Sequence, residues 1–217
     1  MTDAQALFEQ AHQLLGASDG GETLTRAAEL MKRAADQGHA GAANNFAAML
    51  QYGRGAPLDL FLARTYYAQA AEAGLPAGLF NLGFMQLHGL GGKPDAVSAR
   101  ALFEQAADGA DTDALTHLGR MAMLGEGGTQ DFQAARSYWV KGSALGDGRC
   151  AFNLGIAHAG GHGAPPDFVA AFAWFSHALE LGNAAAAPEL AKLRAVMTEA
   201  ELARAEQRPE ESAASEG

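Results

Sequence analysis

The sequence has a single cysteine, Cys150, so it can form neither an internal disulfide nor a cysteine zinc cage, and nothing calls for an oxidising compartment. Its basic residues, 15 Lys and Arg, are outnumbered by 25 Asp and Glu. The formal net charge is −10, which disfavours phosphate backbones and anionic lipid and sets nucleic acid and membrane surfaces aside as partners. There is no apolar run of the roughly 18 residues a membrane span needs. The start, Met1-Thr2-Asp3-Ala4-Gln5, carries neither a basic region nor an apolar one, so no signal peptide is expected. The Gly-Lys-Ser/Thr of a phosphate loop, Gly-x-Ser-x-Gly and His-Glu-x-x-His are all absent, which removes the common nucleotide and hydrolase signals. β-Branched residues are sparse and alanine is abundant, a composition that favours helix. With 48 % hydrophobic residues over 217 positions, the chain has enough apolar material for a sizeable core.

What the sequence does have is a period. Asp59, Asp95, Asp131 and Asp167 recur every 36 residues, and one step back stands Thr23, another residue able to cap a helix. Four residues after each lies an alanine: Ala27, Ala63, Ala99, Ala135 and Ala171. Then come the bulky pairs Leu30-Met31, Tyr66-Tyr67, Leu102-Phe103, Tyr138-Trp139 and Trp174-Phe175. These positions share one helical face, so the pairs are expected in the core. A glycine closes each unit: Gly38, Gly74, Gly109, Gly146 and Gly182. Ahead of this helix lies a glycine-rich loop in four of the units, and ahead of the loop a first helix. That helix carries Asn45-Phe46-Ala47, Asn81-Leu82-Gly83, His117-Leu118-Gly119 and Asn153-Leu154-Gly155. A glycine inside a helix costs about 1 kcal/mol relative to alanine. Its recurrence at 83, 119 and 155 predicts a close approach of two helix backbones.

The combination of Asn-Leu-Gly, glycine-rich loop, Asp cap, Ala, aromatic pair and Ala-Ala-x-x-Gly ending resembles the Sel-one-like repeat family, relatives of the tetratricopeptide repeats, over residues 2–183. Two departures stand out. The first unit has Gly16-Ala17-Ser18-Asp19-Gly20-Gly21 in place of the loop, and the fourth has Gly142-Ser143 where others have Ala-Ala or Ala-Leu, which questions the stability of its second helix. The resemblance implies an all-α, right-handed solenoid of about five helix-turn-helix repeats across 1–183. Residues 184–207 are expected to form capping helices, with a capping box at Thr198 and Glu201, and 208–217 a disordered tail.

The resemblance also implies a protein-interaction scaffold or adaptor, cytoplasmic, without cofactor or metal and not an enzyme. It would bind a protein or peptide along a concave face lined by the first helices. The positions placed on that face are Asn45, Asn81, Phe84, His117, Arg120, Asn153 and Ile156. An asparagine ladder can grip a peptide backbone; equally, its amides can bond to neighbouring loops and hold the stack together, and both readings stay open. Arg120 and His117 would favour an acidic side chain or a free C-terminus near the fourth unit. Two alternatives come from other classes. Cysteine-rich relatives have been linked to β-lactam binding and hydrolysis, but they carry a cysteine pair per repeat and this chain has one cysteine. A self-associating regulatory subunit is the other, set against a monomer or weak homo-oligomer. His158 and His162, four apart but separated by Gly160-Gly161, read as ordinary surface histidines, since no third ligand is at hand. Cys150 reads as inert packing.

Overall fold

The structure, a computed structural model, describes residues 3–17 and 20–206. The disordered tail expected at 208–217 lies outside the described residues. Among the described residues there are twelve helices and no strand: α1 (Asp3–Ala17), α2 (Gly21–Asp36), α3 (Ala40–Tyr52), α4 (Leu60–Glu72), α5 (Pro76–His88), α6 (Ala96–Asp108), α7 (Thr112–Leu124), α8 (Phe132–Ala144), α9 (Gly148–Gly160), α10 (Phe168–Glu180), α11 (Ala186–Arg194) and α12 (Glu199–Glu206). The fold is the all-α repeat solenoid that the period implies. The chain divides into two compact units at Asp111 and Thr112. The first holds the helix pairs α1–α2, α3–α4 and α5–α6. The second holds α7–α8 and α9–α10, followed by α11 and α12, which pack on α10. Within each unit the second helix of one pair also packs on the first helix of the next.

The aspartate caps behave as their chemistry requires. Asp59, Asp95, Asp131 and Asp167 each accept a backbone N–H three residues on, at 2.9–3.0 Å. Thr23 does not cap. Its connection lacks the glycine-rich loop, and α2 begins at Gly21 behind an extended Gly20, so Thr23 sits inside the helix. The alanines at 27, 63, 99, 135 and 171 are buried, and of each bulky pair the second member, Met31, Tyr67, Phe103, Trp139 or Phe175, is at most 2 % exposed. The expected capping box forms. Glu201 N–H donates to Thr198 Oγ1 at 3.3 Å, and Thr198 N–H donates to Glu201 Oε2 at 2.8 Å.

Two glycine assignments change. Gly83, Gly119 and Gly155 do mark close approaches, but mainly of a ring. A β-carbon at Gly83 would lie 2.9 Å from the Phe103 ring and one at Gly155 2.6 Å from the Phe175 ring, while one at Gly119 would run into the Trp139 indole. Each glycine makes room for the buried aromatic of its own second helix, twenty residues on. Gly109 does not close the third pair. The left-handed conformation falls one residue later, at Ala110 (φ 60°), in step with Gly38, Gly74, Gly146 and Gly182 (φ 75–89°).

Candidate functional site

The seven residues assigned to the first-helix face fall in both units. In the first unit, the Asn81 side-chain amide donates to Asn44 Oδ1 at 2.9 Å, Asn44 donates to Asn45 Oδ1 at 3.4 Å, and Asn45 stands 3.3 Å from His12 Nε2. These bonds run across α1, α3 and α5, so the amides here tie neighbouring first helices to one another. The expected alternative partners, the loops, are not what they bond. Phe84 packs within α5, its ring centroid 4.4 Å from that of His88 and 6.4 Å from that of Phe80.

In the second unit the sequence assignments converge. His117 and Arg120 of α7 and Asn153 and Ile156 of α9 line one cavity of about 250 Å³, together with Thr116, Met123 and Trp139. The Trp139 indole N–H donates to the Thr116 carbonyl at 3.3 Å, which fixes the ring as part of its apolar wall. Asn153, unlike Asn45 and Asn81, has no hydrogen bond from its amide among the described residues. Ile156 is 36 % exposed. Arg120 is already engaged, its guanidinium meeting Glu126 of the following loop at 3.0 and 3.2 Å. A partner carboxylate at this place would have to displace Glu126, so the expectation of an acidic group at the fourth unit loses its free cation.

A cavity that the sequence reading did not single out lies in the first unit. It measures about 370 Å³ and is lined by Asn45 with Leu15, Leu24, Ala48, Met49, Tyr52 and Arg54. A third and more open hollow, of about 490 Å³, lies at the turns of the second unit beside Thr112 and Asn183. Its cation, Arg149, is held by Asp113 and Asp147, each at 2.6 Å.

The one thiol is poorly placed for chemistry. Cys150 is fully buried, and that burial pushes its pKa from 9.0 up to about 11, while Thr116 Oγ1 sits 3.1 Å from the sulfur. His158 and His162 do not form a ligand set. α9 ends at Gly160, the His162 ring stacks on Phe132 with centroids 5.9 Å apart, and among the described residues no group of three metal-ligating side chains comes together. Among the described residues no helix is long and apolar enough to cross a membrane.

Residues 17–39, 40–75, 76–111, 112–147 and 148–183 each match the Sel1 repeat model. Among curated proteins none matches the sequence significantly. Solved structures with the same fold include a protective antigen of uropathogenic Escherichia coli displaying an SLR fold, with a TM-score of 0.80 and 22 % identity over 97 % of this chain and 47 % of that one. A Sel1 repeat protein from Oxalobacter formigenes follows, with a TM-score of 0.77 and 24 % identity over 85 % of this chain and 76 % of its own. An immunity protein of Pseudomonas aeruginosa aligns over 100 % of this chain and 81 % of its own, with a TM-score of 0.55 and 19 % identity. The chain thus spans about half the length of the Escherichia coli protein. At these identities the likeness is one of fold.

Proposed function

Because the chain belongs to the Sel1 repeat family, we propose that it is a non-catalytic adaptor whose first helices hold an extended segment of a partner protein. Repeat proteins of this kind mediate protein–protein interactions, using faces that stacked helices present at regular spacing. The observation that carries the proposal is the second-unit cavity. It gathers His117, Arg120, Asn153 and Ile156 around an apolar wall, and the Asn153 amide remains available to pair with a peptide group. The buried, weakly acidic Cys150 thiol supports the non-catalytic reading, and a single reduced thiol suits the cytoplasm.

The test is capture in the native cell through a photoreactive side chain in place of Ile156, with cross-linked partners identified by mass spectrometry. A discrete partner is expected. Its capture should disappear when Asn153→Asp is added and persist with Phe61→Asp, a change at a 74 % exposed position on α4. Equal capture with and without Asn153→Asp would place the partner elsewhere and sink the proposal.

A further inference from the structure

The place in the period that carries Phe84, Arg120 and Ile156 in the third, fourth and fifth pairs carries Ala48 in the second. A large side chain is missing there, and the 370 Å³ cavity opens over it, walled by Leu15, Leu24, Met49 and Tyr52. The loop residue six positions on completes the comparison. It is Leu90 in the third pair and Glu126 in the fourth, where it pairs with Arg120 at 3.0 Å. In the second pair it is Arg54, which also lines the cavity. With only a methyl group at position 48, Arg54 has nothing to meet there. Its side chain is exposed and makes no hydrogen bond or ion pair among the described residues. Tyr52, 67 % exposed, presents its ring at the same rim. The second pair therefore holds one half of a contact the fourth pair makes internally, a guanidinium with no carboxylate paired to it among the described residues, and an apolar hole where the other half would stand.

We propose that this cavity takes a bulky apolar side chain, leucine or phenylalanine, from an extended partner segment, with one adjoining aspartate or glutamate paired to Arg54. The inference rests on the adaptor reading and names the chemistry of the segment held by the first unit. Guanidinium and carboxylate match as a two-pronged pair. The net charge of −10 repels a long acidic run, but at about 0.15 M salt that repulsion is screened beyond about 8 Å, so a single carboxylate close to Arg54 is the favoured pattern.

The experiment is a titration of the ¹⁵N-labelled full chain with three blocked tetrapeptides, acetyl-Gly-Phe-Glu-Gly-amide, acetyl-Gly-Ala-Glu-Gly-amide and acetyl-Gly-Phe-Lys-Gly-amide, followed by amide chemical shifts. The first should move the amides of Ala48, Met49 and Tyr52, and each of the others should bind at least about fivefold more weakly. Ala48→Phe, which supplies the side chain the third pair has at this place, should lower affinity for the first peptide about tenfold or more with the melting temperature unchanged. Arg54→Glu, a surface change, should reverse the preference in favour of the lysine peptide. The proposal is overturned if these amides do not move, if the three peptides bind alike, or if Ala48→Phe leaves affinity intact. Shifts confined to the second unit would overturn it while leaving the adaptor reading standing. The cross-link from position 156 tests that reading without involving this cavity.

Discussion

Two junctions between consecutive helix pairs, one in each unit, meet the same packing demand with the small residue on opposite sides. Between α4 and α5, Ala70 faces Gly78, and a β-carbon at Gly78 would lie 2.6 Å from the Ala70 β-carbon and 2.9 Å from its carbonyl carbon. Between α8 and α9 the same two places in the period are Gly142 and Cys150, and a β-carbon at Gly142 would run into the cysteine sulfur. The glycine has moved from the first helix to the second. At both junctions the glycine leaves room for the β-carbon or sulfur facing it, as expected where helices are packed to crystal-like density. The Gly142-Ser143 departure becomes intelligible on this basis. α8 still runs from Phe132 to Ala144, and its glycine is the complement of a cysteine that is larger than the Gly78 it replaces.

The two junctions differ in whether the obstacle can be trimmed. At Gly78 it includes backbone, the Ala70 carbonyl carbon and the Ala71 nitrogen, both at 2.9 Å. Gly78→Ala should therefore destabilise by about 3 kcal/mol in urea denaturation, and Ala70→Gly in the same chain should recover little of it. At Gly142 the first obstacle is a side-chain sulfur. Gly142→Ala should lose about 2 kcal/mol, with part of the clash offset by the gain of about 1 kcal/mol in helix propensity. Cys150→Ala should restore most of that loss. A double variant no more stable than Gly142→Ala alone would end the volume-complement account of this junction.

A titration separates the junctions further, since only one of them holds an ionisable group. The Cys150 pKa rises from 9.0 to about 11 on burial. Below pH 9 the thiol is neutral in both folded and unfolded chains, and the stability linked to it is fully present. Between pH 9 and 11 the unfolded chain releases its proton first, so stability falls as pH rises through the window. Relative to Cys150→Ala, the native protein should lose on the order of 2 kcal/mol across it. Parallel stability curves for the two proteins would show that the thiol ionises normally in the folded state.

Much of the fold was legible because its signals are local or repeated. A cap needs only an aspartate and the amide three residues on, and four caps at one spacing leave little ambiguity. Thr23 misled because capping depends on where the chain enters the helix, and the connection before α2 differs from the other four. The glycines at 83, 119 and 155 were legible as close approaches but not as ring pockets, since their partners lie on another helix. The site was legible as a set of positions and not as a set of roles. Asn81 and Asn153 share a place in the period, yet the first helix of the pair before Asn81, α3, presents Asn44, which accepts its amide. The first helix of the pair before Asn153, α7, presents Thr116 at that place, with its hydroxyl beside Cys150 Sγ at 3.1 Å and Asp147 Oδ2 at 3.5 Å. Pairwise facts of this kind require the packing itself. The Ala48 cavity could have been found by asking which member of a repeated position is too small.

The smallest expected effect isolates backbone conformation from packing. At the closing turns Gly38, Gly74, Gly146 and Gly182 take φ of 75–89°, and Ala110 takes 60° at the same place. The left-handed region costs a residue with a β-carbon about 1–2 kcal/mol, and a glycine gives back part of that gain through its freer unfolded state. Ala110→Gly should therefore stabilise by about 0.5–1 kcal/mol, a rise of roughly 1–4 °C in melting temperature for a chain of this size. The matching control is Gly146→Ala in the other unit. Nothing lies within 4 Å of a β-carbon there, so its loss, of similar size, reports φ alone. Gly109 must be left in place, because a β-carbon on it would lie 2.7 Å from the Pro76 ring. Shifting the glycine by one residue, as Gly109→Ala with Ala110→Gly, should thus be worse than Ala110→Gly alone. Equal melting temperatures for those two variants would show that Gly109 is only a displaced closing glycine, with no packing role of its own.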